Sequence, residues 1–140
     1  FGGAQRYVFD LANELKDRFD IVVTSGRTGG DELLQRCTAV GIKTHQFKNL
    51  VREINPLKDI SAIFEITRFI KKENPNIVHL NSSKAGIIGA LAAVICHLSG
   101  VRCRTIYTAH GWVFNEPLSW WRKKLYMWME KIAARGRASG

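Results

Sequence analysis

No two of the three cysteines, Cys37, Cys96 and Cys103, form a CxxC pair, and no histidine stands at ligand spacing beside a cysteine pair. A zinc site is therefore unsupported, and an odd count leaves one thiol over in any disulfide scheme. Reduced, mostly buried thiols of a cytosolic protein are expected. Negative charge is also scarce: 12 Asp and Glu stand against 21 Lys and Arg, a net charge of +9 at pH 7. That surplus either favours anionic partners or is simply a basic solvated surface, and it says nothing about fold. No apolar run reaches the roughly 20 residues that a membrane-crossing helix needs, and no signal peptide is visible. The most apolar stretch, Gly86 to Val101, is rich in Gly and Ala and contains His97, so a packed core helix is expected there. Internal repeats, low-complexity tracts and a GxGxxG fingerprint are missing too. The chain opens on Phe1-Gly2-Gly3 with no initiator Met and no strand before the glycine turn, so upstream residues are expected to be absent.

What is there alternates between two periods. Val8, Leu11, Ala12 and Leu15 recur at helical spacing, predicting an amphipathic helix over 4–17. Asp20 to Ser25 reads as a short strand and 26–30 as a turn. Asp31 is placed to cap a helix over 32–40, which Gly41 stops. Ile42 to Phe47 reads as an edge-like strand, and 48–55 as a loop. Asn55-Pro56 is a cap followed by a first-turn proline, opening a helix over 56–73. Its expected apolar face is Leu57, Ile60, Ile63, Phe64, Thr67 and Ile70. Asn74-Pro75-Asn76 breaks it, and Ile77 to Leu80 reads as a strand covered on both faces. A helix over 84–99 carries a stripe of Gly86, Gly89, Ala90 and Ala93 that lets its backbone sit close to a sheet. A strand over 103–109 and an amphipathic helix over 118–134 follow. Such alternation predicts one α/β domain, a Rossmann-like parallel sheet flanked by helices with right-handed crossovers.

Several residues stand where this architecture places ligands. Gly2-Gly3 opens a helix whose free N–H groups would suit a phosphate, though a tight turn without a ligand explains the glycines as well. Ser82-Ser83-Lys84 lies where a strand's carboxyl end meets a helix. Ser83 can cap that helix, and that alone would account for it; Lys84 offers a point charge to phosphate or sugar hydroxyls. His79, inside a buried strand, should be neutral and hydrogen-bonded; His45 and His97 read as structural or surface residues. Glu65 and Glu73 are two glutamates separated by seven residues, on the charged side of their helix. In the last helix Trp121, Leu125, Trp128 and Ile132 form one face, and Trp120, Lys124, Met127 and Lys131 a second stripe. Aromatics beside Lys suit either a membrane interface or burial against another part of the protein. No RNA or DNA motif accompanies them, so nucleic acid is not an expected partner.

Three segments taken in order resemble a known family. They are Gly2-Gly3-Ala4-Gln5 opening a helix, Asn76-Ile77-Val78-His79 followed by Asn81-Ser82-Ser83-Lys84-Ala85-Gly86, and Thr108-Ala109-His110-Gly111-Trp112-Val113-Phe114. Over residues 1 to about 134 the chain resembles the N-terminal domain of family 4 glycosyltransferases of the GT-B fold, above all bacterial enzymes of capsule, exopolysaccharide and lipopolysaccharide assembly. The resemblance implies an acceptor-side domain over 1–134, a divergent tail over 135–140, a first strand missing, and a C-terminal donor-binding domain that is absent. It implies retaining transfer of a sugar from a nucleotide-sugar donor to a lipid-linked or glycan acceptor. No cofactor and no metal are implied, and the nucleotide sugar enters as substrate. His110 is implied as the catalytic residue, at the donor sugar, with Gly2, Gly3, Ser82, Ser83, Lys84 and Gly111 binding substrate. The fragment alone is expected to be inactive. A cytoplasmic location is implied, peripheral on the inner face of the membrane through Trp120, Trp121 and Lys124. The family's glutamate pair belongs to the other domain, so Glu65 and Glu73 are read as a chance match. Two rivals remain: a non-catalytic basic α/β binding module or truncated gene product, and a nucleotide-dependent oxidoreductase, which the lack of a glycine fingerprint disfavours.

Overall fold

The computed structural model describes residues 2–108 and 110. Helices α1 (Gly3–Leu15), α2 (Asp31–Ala39), α3 (Pro56–Glu73) and α4 (Ser83–Leu98) alternate with strands β1 (Val22–Gly26), β2 (Lys43–Phe47), β3 (Ile77–Leu80) and β4 (Arg104–Tyr107). The element types agree with the sequence reading throughout this range. The helix over 118–134, its Trp120, Trp121 and Lys124, and the tail over 135–140 lie outside the described residues.

All pairing is parallel. Val22 faces Lys43 and Gly26 faces Phe47 across β1 and β2. Ile77 faces Arg104 and Leu80 faces Tyr107 across β3 and β4. The expected single sheet is corrected: among the described residues there are two sheets of two strands each. Each pair closes a local unit, β1-α2-β2 or β3-α4-β4, whose short crossover brings its own strands together. Alternation along the chain does not say whether the two units share a hydrogen-bonded edge. They are joined instead by side chains, through α3, which packs on both α4 and β2.

The core divides in the same way. Ala12, Val23, Leu33, Cys37 and Ile42 form one buried cluster. Phe47, Leu50, Ala62, Ile66, Ile70, Ile88, Ala92 and Cys96 form the other. The expected face of α3 is also corrected. Ala62, Ile66, Thr67 and Ile70 are buried, whereas Leu57, Ile60 and Phe64 are exposed. The apolar arc of α3 is wider than the strip α4 can cover, and the small Ala62 allows the closest approach. Thr67 is accommodated because its hydroxyl donates to the Ile63 carbonyl at 2.7 Å.

Caps set the helix ends. Asn55 Oδ1 accepts from the Lys58 N–H at 3.1 Å, ahead of Pro56, and Asn74 ends α3 in the left-handed region at φ 45°. Two expected caps are moved by one residue. Gly30, not Asp31, is the N-cap of α2, and Asp31 instead accepts from Gln46 Nε2 at 2.6 Å, tying α2 to β2. Ser82, not Ser83, caps α4, accepting from the Ala85 N–H at 3.2 Å. The glycines of α4 serve close approach: a Cβ at Gly89 would lie 2.5 Å from the Leu80 side chain, and one at Gly86 would lie 2.7 Å from the Tyr107 ring. No helix among the described residues is long and apolar enough to cross a membrane.

Candidate functional site

The carboxyl ends of β3 and β4 are the focus. In parallel α/β units these ends open towards helix N-termini, where backbone N–H groups are available to ligands. Leu80 ends β3, so Asn81 is the first residue free of the strand; Tyr7 comes from the second turn of α1. Thr108 follows β4, its N–H donating to the Leu80 carbonyl at 2.9 Å, and His110 lies two residues beyond.

Four side chains surround the His110 imidazole or support its neighbours. The Tyr7 ring packs against it, centroids 4.7 Å apart, and also meets the His79 ring edge-on at 6.4 Å. Asn81 Nδ2 donates to the His79 carbonyl at 3.4 Å, which leaves Oδ1 as the acceptor facing His110 Nε2 at 3.3 Å. On this network Nε2 carries the proton, and Nδ1 of a neutral His110 is the nitrogen left with a lone pair. His79 Nε2 and Thr108 Oγ1 are hydrogen-bonded at 2.7 Å. Burial, and then the neighbouring His110, push the His79 pKa below the ordinary histidine value. The expectation of a neutral, hydrogen-bonded His79 agrees with this geometry.

The expected site residues are only partly drawn together. Gly2 and Gly3 begin α1, the helix that delivers Tyr7. Gly2 adopts φ −82° and so uses no glycine-only conformation, and both glycines face open space. The α1 N-terminus has no side-chain cap, and no acidic residue occupies its first turn. Gln5 is engaged structurally: its Oε1 accepts from Gly2 N at 3.3 Å and its Nε2 donates to the Gly29 carbonyl. Ser82 and Ser83 lie one and two residues past Asn81, at the start of α4. The Lys84 ammonium is engaged within the protein: it donates to the Glu53 carbonyl and pairs with Asp59 Oδ1 at 2.7 Å. That carboxylate oxygen is buried from water and makes no directed hydrogen bond, so the Lys84 charge is its compensation. Gly111 lies outside the described residues.

Sequence reasoning singled out neither Tyr7 nor Asn81 nor Thr108 as site residues. Asn81 carried a usable signal, being the first polar residue after a buried strand. Tyr7 carried none, because only the tertiary fold brings its ring to a residue over a hundred positions away.

Other groups are structural. The Glu65 carboxylate accepts from the backbone N–H groups of Lys48 and Asn49 at 2.8 and 2.9 Å, closing the loop after β2. That contact gives Glu65 a structural role independent of its spacing from Glu73. An open groove of about 840 Å³ lies between α3 and the amino-terminal ends of β1 and β2, lined by Lys43, His45, Phe64, Arg68 and Phe69 among others. It is at the wrong end of the strands for the site above. Cys37 and Cys96 are fully buried, and burial raises the thiol pKa of both and of Cys103, which disfavours the reactive thiolate. No cluster of metal-ligating side chains occurs among the described residues.

Parallel strands flanked by helices place the domain in the Rossmann-like α/β class, with a histidine, an asparagine and a tyrosine gathered at the ends of β3 and β4. Its particular affiliation follows from comparison: the chain belongs to glycosyltransferase family 4, whose family model matches residues 1–139. It is 38% identical over 86 residues to a UDP-Gal:alpha-D-GlcNAc-diphosphoundecaprenol alpha-1,3-galactosyltransferase of Escherichia coli, an overlap of 61% of this chain and 21% of that protein. It is 28% identical over 89 residues to an uncharacterized 41.2 kDa protein in the cps region of Klebsiella pneumoniae, covering 64% of this chain and 24% of that protein. The chain therefore spans about a quarter or less of the length of these two relatives. No solved structure matches it.

Proposed function

We propose that this chain is the acceptor-side part of a retaining glycosyltransferase that moves a sugar from a nucleotide-sugar donor to a lipid-linked glycan acceptor in bacterial polysaccharide assembly. The observation that carries the reading is the meeting of Tyr7, Asn81 and His110 at the carboxyl ends of β3 and β4. An imidazole oriented by Asn81 and braced by an aromatic ring presents Nδ1 in a fixed direction. That suits hydrogen bonding to a hydroxyl of the transferring sugar, so that the anomeric carbon is held while its bond to the diphosphate breaks and the bond to the acceptor oxygen forms. The start of α1 at Gly3 and the start of α4, with Ser82 and Ser83, supply backbone N–H groups and hydroxyls for acceptor phosphate or sugar oxygens, while the Gly2 N–H is held by Gln5 Oε1. No cofactor is assigned to this domain. The related galactosyltransferase, whose name specifies UDP-Gal and a diphosphoundecaprenol-linked GlcNAc, supports a donor and an acceptor of those classes. An acceptor anchored in lipid favours a peripheral enzyme working at the cytoplasmic face of the membrane.

The test uses the full-length gene product with UDP-galactose and a polyprenyl-diphosphate-linked GlcNAc in detergent. His110→Ala is expected to lower kcat at least about tenfold, a loss of about 1.4 kcal/mol of transition-state stabilisation. Wild-type turnover by that variant would remove His110 from the site, and with it the observation on which the reading stands.

A further inference from the structure

Three contacts lead from His79 to His110, each by a different route. The His79 Nε2 is hydrogen-bonded to Thr108 Oγ1 at 2.7 Å. Thr108 closes the end of the β3–β4 ladder, its N–H on the Leu80 carbonyl at 2.9 Å, and His110 follows two positions later. The same imidazole meets the Tyr7 ring edge-on at 6.4 Å, within the range of a favourable ring pair, and Tyr7 packs in turn against the His110 ring at 4.7 Å. The backbone carbonyl of His79 takes Asn81 Nδ2 at 3.4 Å, which turns Asn81 Oδ1 towards His110 Nε2 at 3.3 Å. His79 is itself fixed, since it faces Ile106 across the parallel pair. An apolar residue at this partly buried strand position would need no hydrogen-bond partner. The histidine finds its partner in the residue that starts the segment leading to His110. Burial, and then His110 nearby, keep its ring neutral, so it bonds the hydroxyl without setting a second positive charge beside His110.

We propose that His79 is a positioning residue for His110: its imidazole fixes Thr108 and the Tyr7 ring, and through them the direction in which His110 Nδ1 meets the transferring sugar. The role rests on the transfer reaction proposed above, and His79 touches no substrate in it. Placement of this kind matters because a shift of about 1 Å at a reacting group can cost about a hundredfold in rate. A side chain that only fills the fold lowers stability whatever stands at position 110. One that acts through His110 changes turnover only while His110 is present.

A double-mutant cycle on the full-length gene product, assayed in detergent with UDP-galactose and a polyprenyl-diphosphate-linked GlcNAc, reads that difference. His79→Leu removes both side-chain contacts and should lower kcat about tenfold, with KM for UDP-galactose within about twofold of wild type. Added to His110→Ala, the same substitution should lower kcat by no more than about twofold, because the group it positions is gone. Thr108→Val removes the hydroxyl but keeps the shape, and should repeat the His79→Leu loss; if His79→Leu does not fold, Thr108→Val carries the same cycle. Thr108→Ser and His79→Gln each keep a hydrogen bond across the pair and should recover most of the loss. Independently of turnover, the imidazole nitrogen NMR shifts of His110 should report the Nε2–H tautomer in wild type and a mixture of tautomers in Thr108→Val. Should the protein transfer no galactose, that spectrum decides alone. Wild-type kcat in either His79→Leu or Thr108→Val overturns the proposal. So does an equal loss with and without His110, no recovery in Thr108→Ser and His79→Gln, or His110 shifts unchanged in Thr108→Val. Wild-type turnover by His110→Ala would instead remove the transferase reading itself. A loss in His110→Ala with wild-type kcat in Thr108→Val removes only the positioning role.

Discussion

Replacing Lys84 by methionine removes a charge but keeps the length of the side chain. The ammonium lies 2.7 Å from Asp59 Oδ1, and both side chains retain only about a quarter of their exposure, 24% and 23%. Asp59 Oδ2 also accepts from the Asn55 N–H at 3.3 Å, but Oδ1 has no second partner. Removing one member of a fully buried pair costs about 3–5 kcal/mol. Partial access to water relieves some of that, so about 2 kcal/mol is expected here, the Glu53 carbonyl losing its donor in the same step. With m about 1.5 kcal/mol/M, the urea midpoint should fall by about 1.3 M. The companion variant Lys84→Met with Asp59→Leu leaves no unpaired charge and should recover most of the loss. The assay is equilibrium urea unfolding of the wild type, both single variants and the double variant, read as a double-mutant cycle. A Lys84→Met midpoint within about 0.3 M of wild type, or a double variant that loses the sum of the two singles, would refute the coupling. In that event Lys84 would be free to serve a ligand, and its effect should appear in KM for the acceptor.

Two further predictions concern groups with structural partners. Glu65→Ala strips two backbone N–H groups of their acceptor and should destabilise the chain by about 1–3 kcal/mol in the same urea assay; an unchanged midpoint would show that the loop after β2 does not depend on it. His79 titrates below its ordinary value of 6.5 in the fold, so the unfolded chain binds its proton first as pH falls. Its contribution to stability is complete above about pH 6.5 and is lost as pH drops below that towards the folded pKa. His79→Gln should flatten this part of the stability profile, and a slope between pH 7 and 5 identical to wild type would count against the assignment.

The order of helices and strands over residues 2–108 was legible because it rests on local rules: apolar spacing, the Asn55-Pro56 start, the Gly41 stop and the Asn74-Pro75 break. These act within a few residues, so a linear reading captures them. The family was legible for a related reason, since its motifs are short and occur in fixed order. What escaped was decided by neighbours distant in sequence. One miss was local: Ser82 rather than Ser83 became the cap of α4, a single residue of phase that helix boundaries read from sequence do not fix. Leu57, Ile60 and Phe64 were left in water because α4 offers only a narrow contact, and periodicity cannot say how much of an apolar arc a neighbour will cover. Lys84 had a chemistry suited to phosphate, but Asp59, twenty-five positions earlier, lies where it can take the charge. His110 had a motif, whereas Tyr7 gained its place beside that ring only when the fold brought its side chain to the ends of β3 and β4. Composition and pattern thus determined which elements form and which family they belong to. Only three-dimensional packing decided which faces are buried and which side chains meet, because burial and pairing depend on distances that a one-dimensional pattern does not contain.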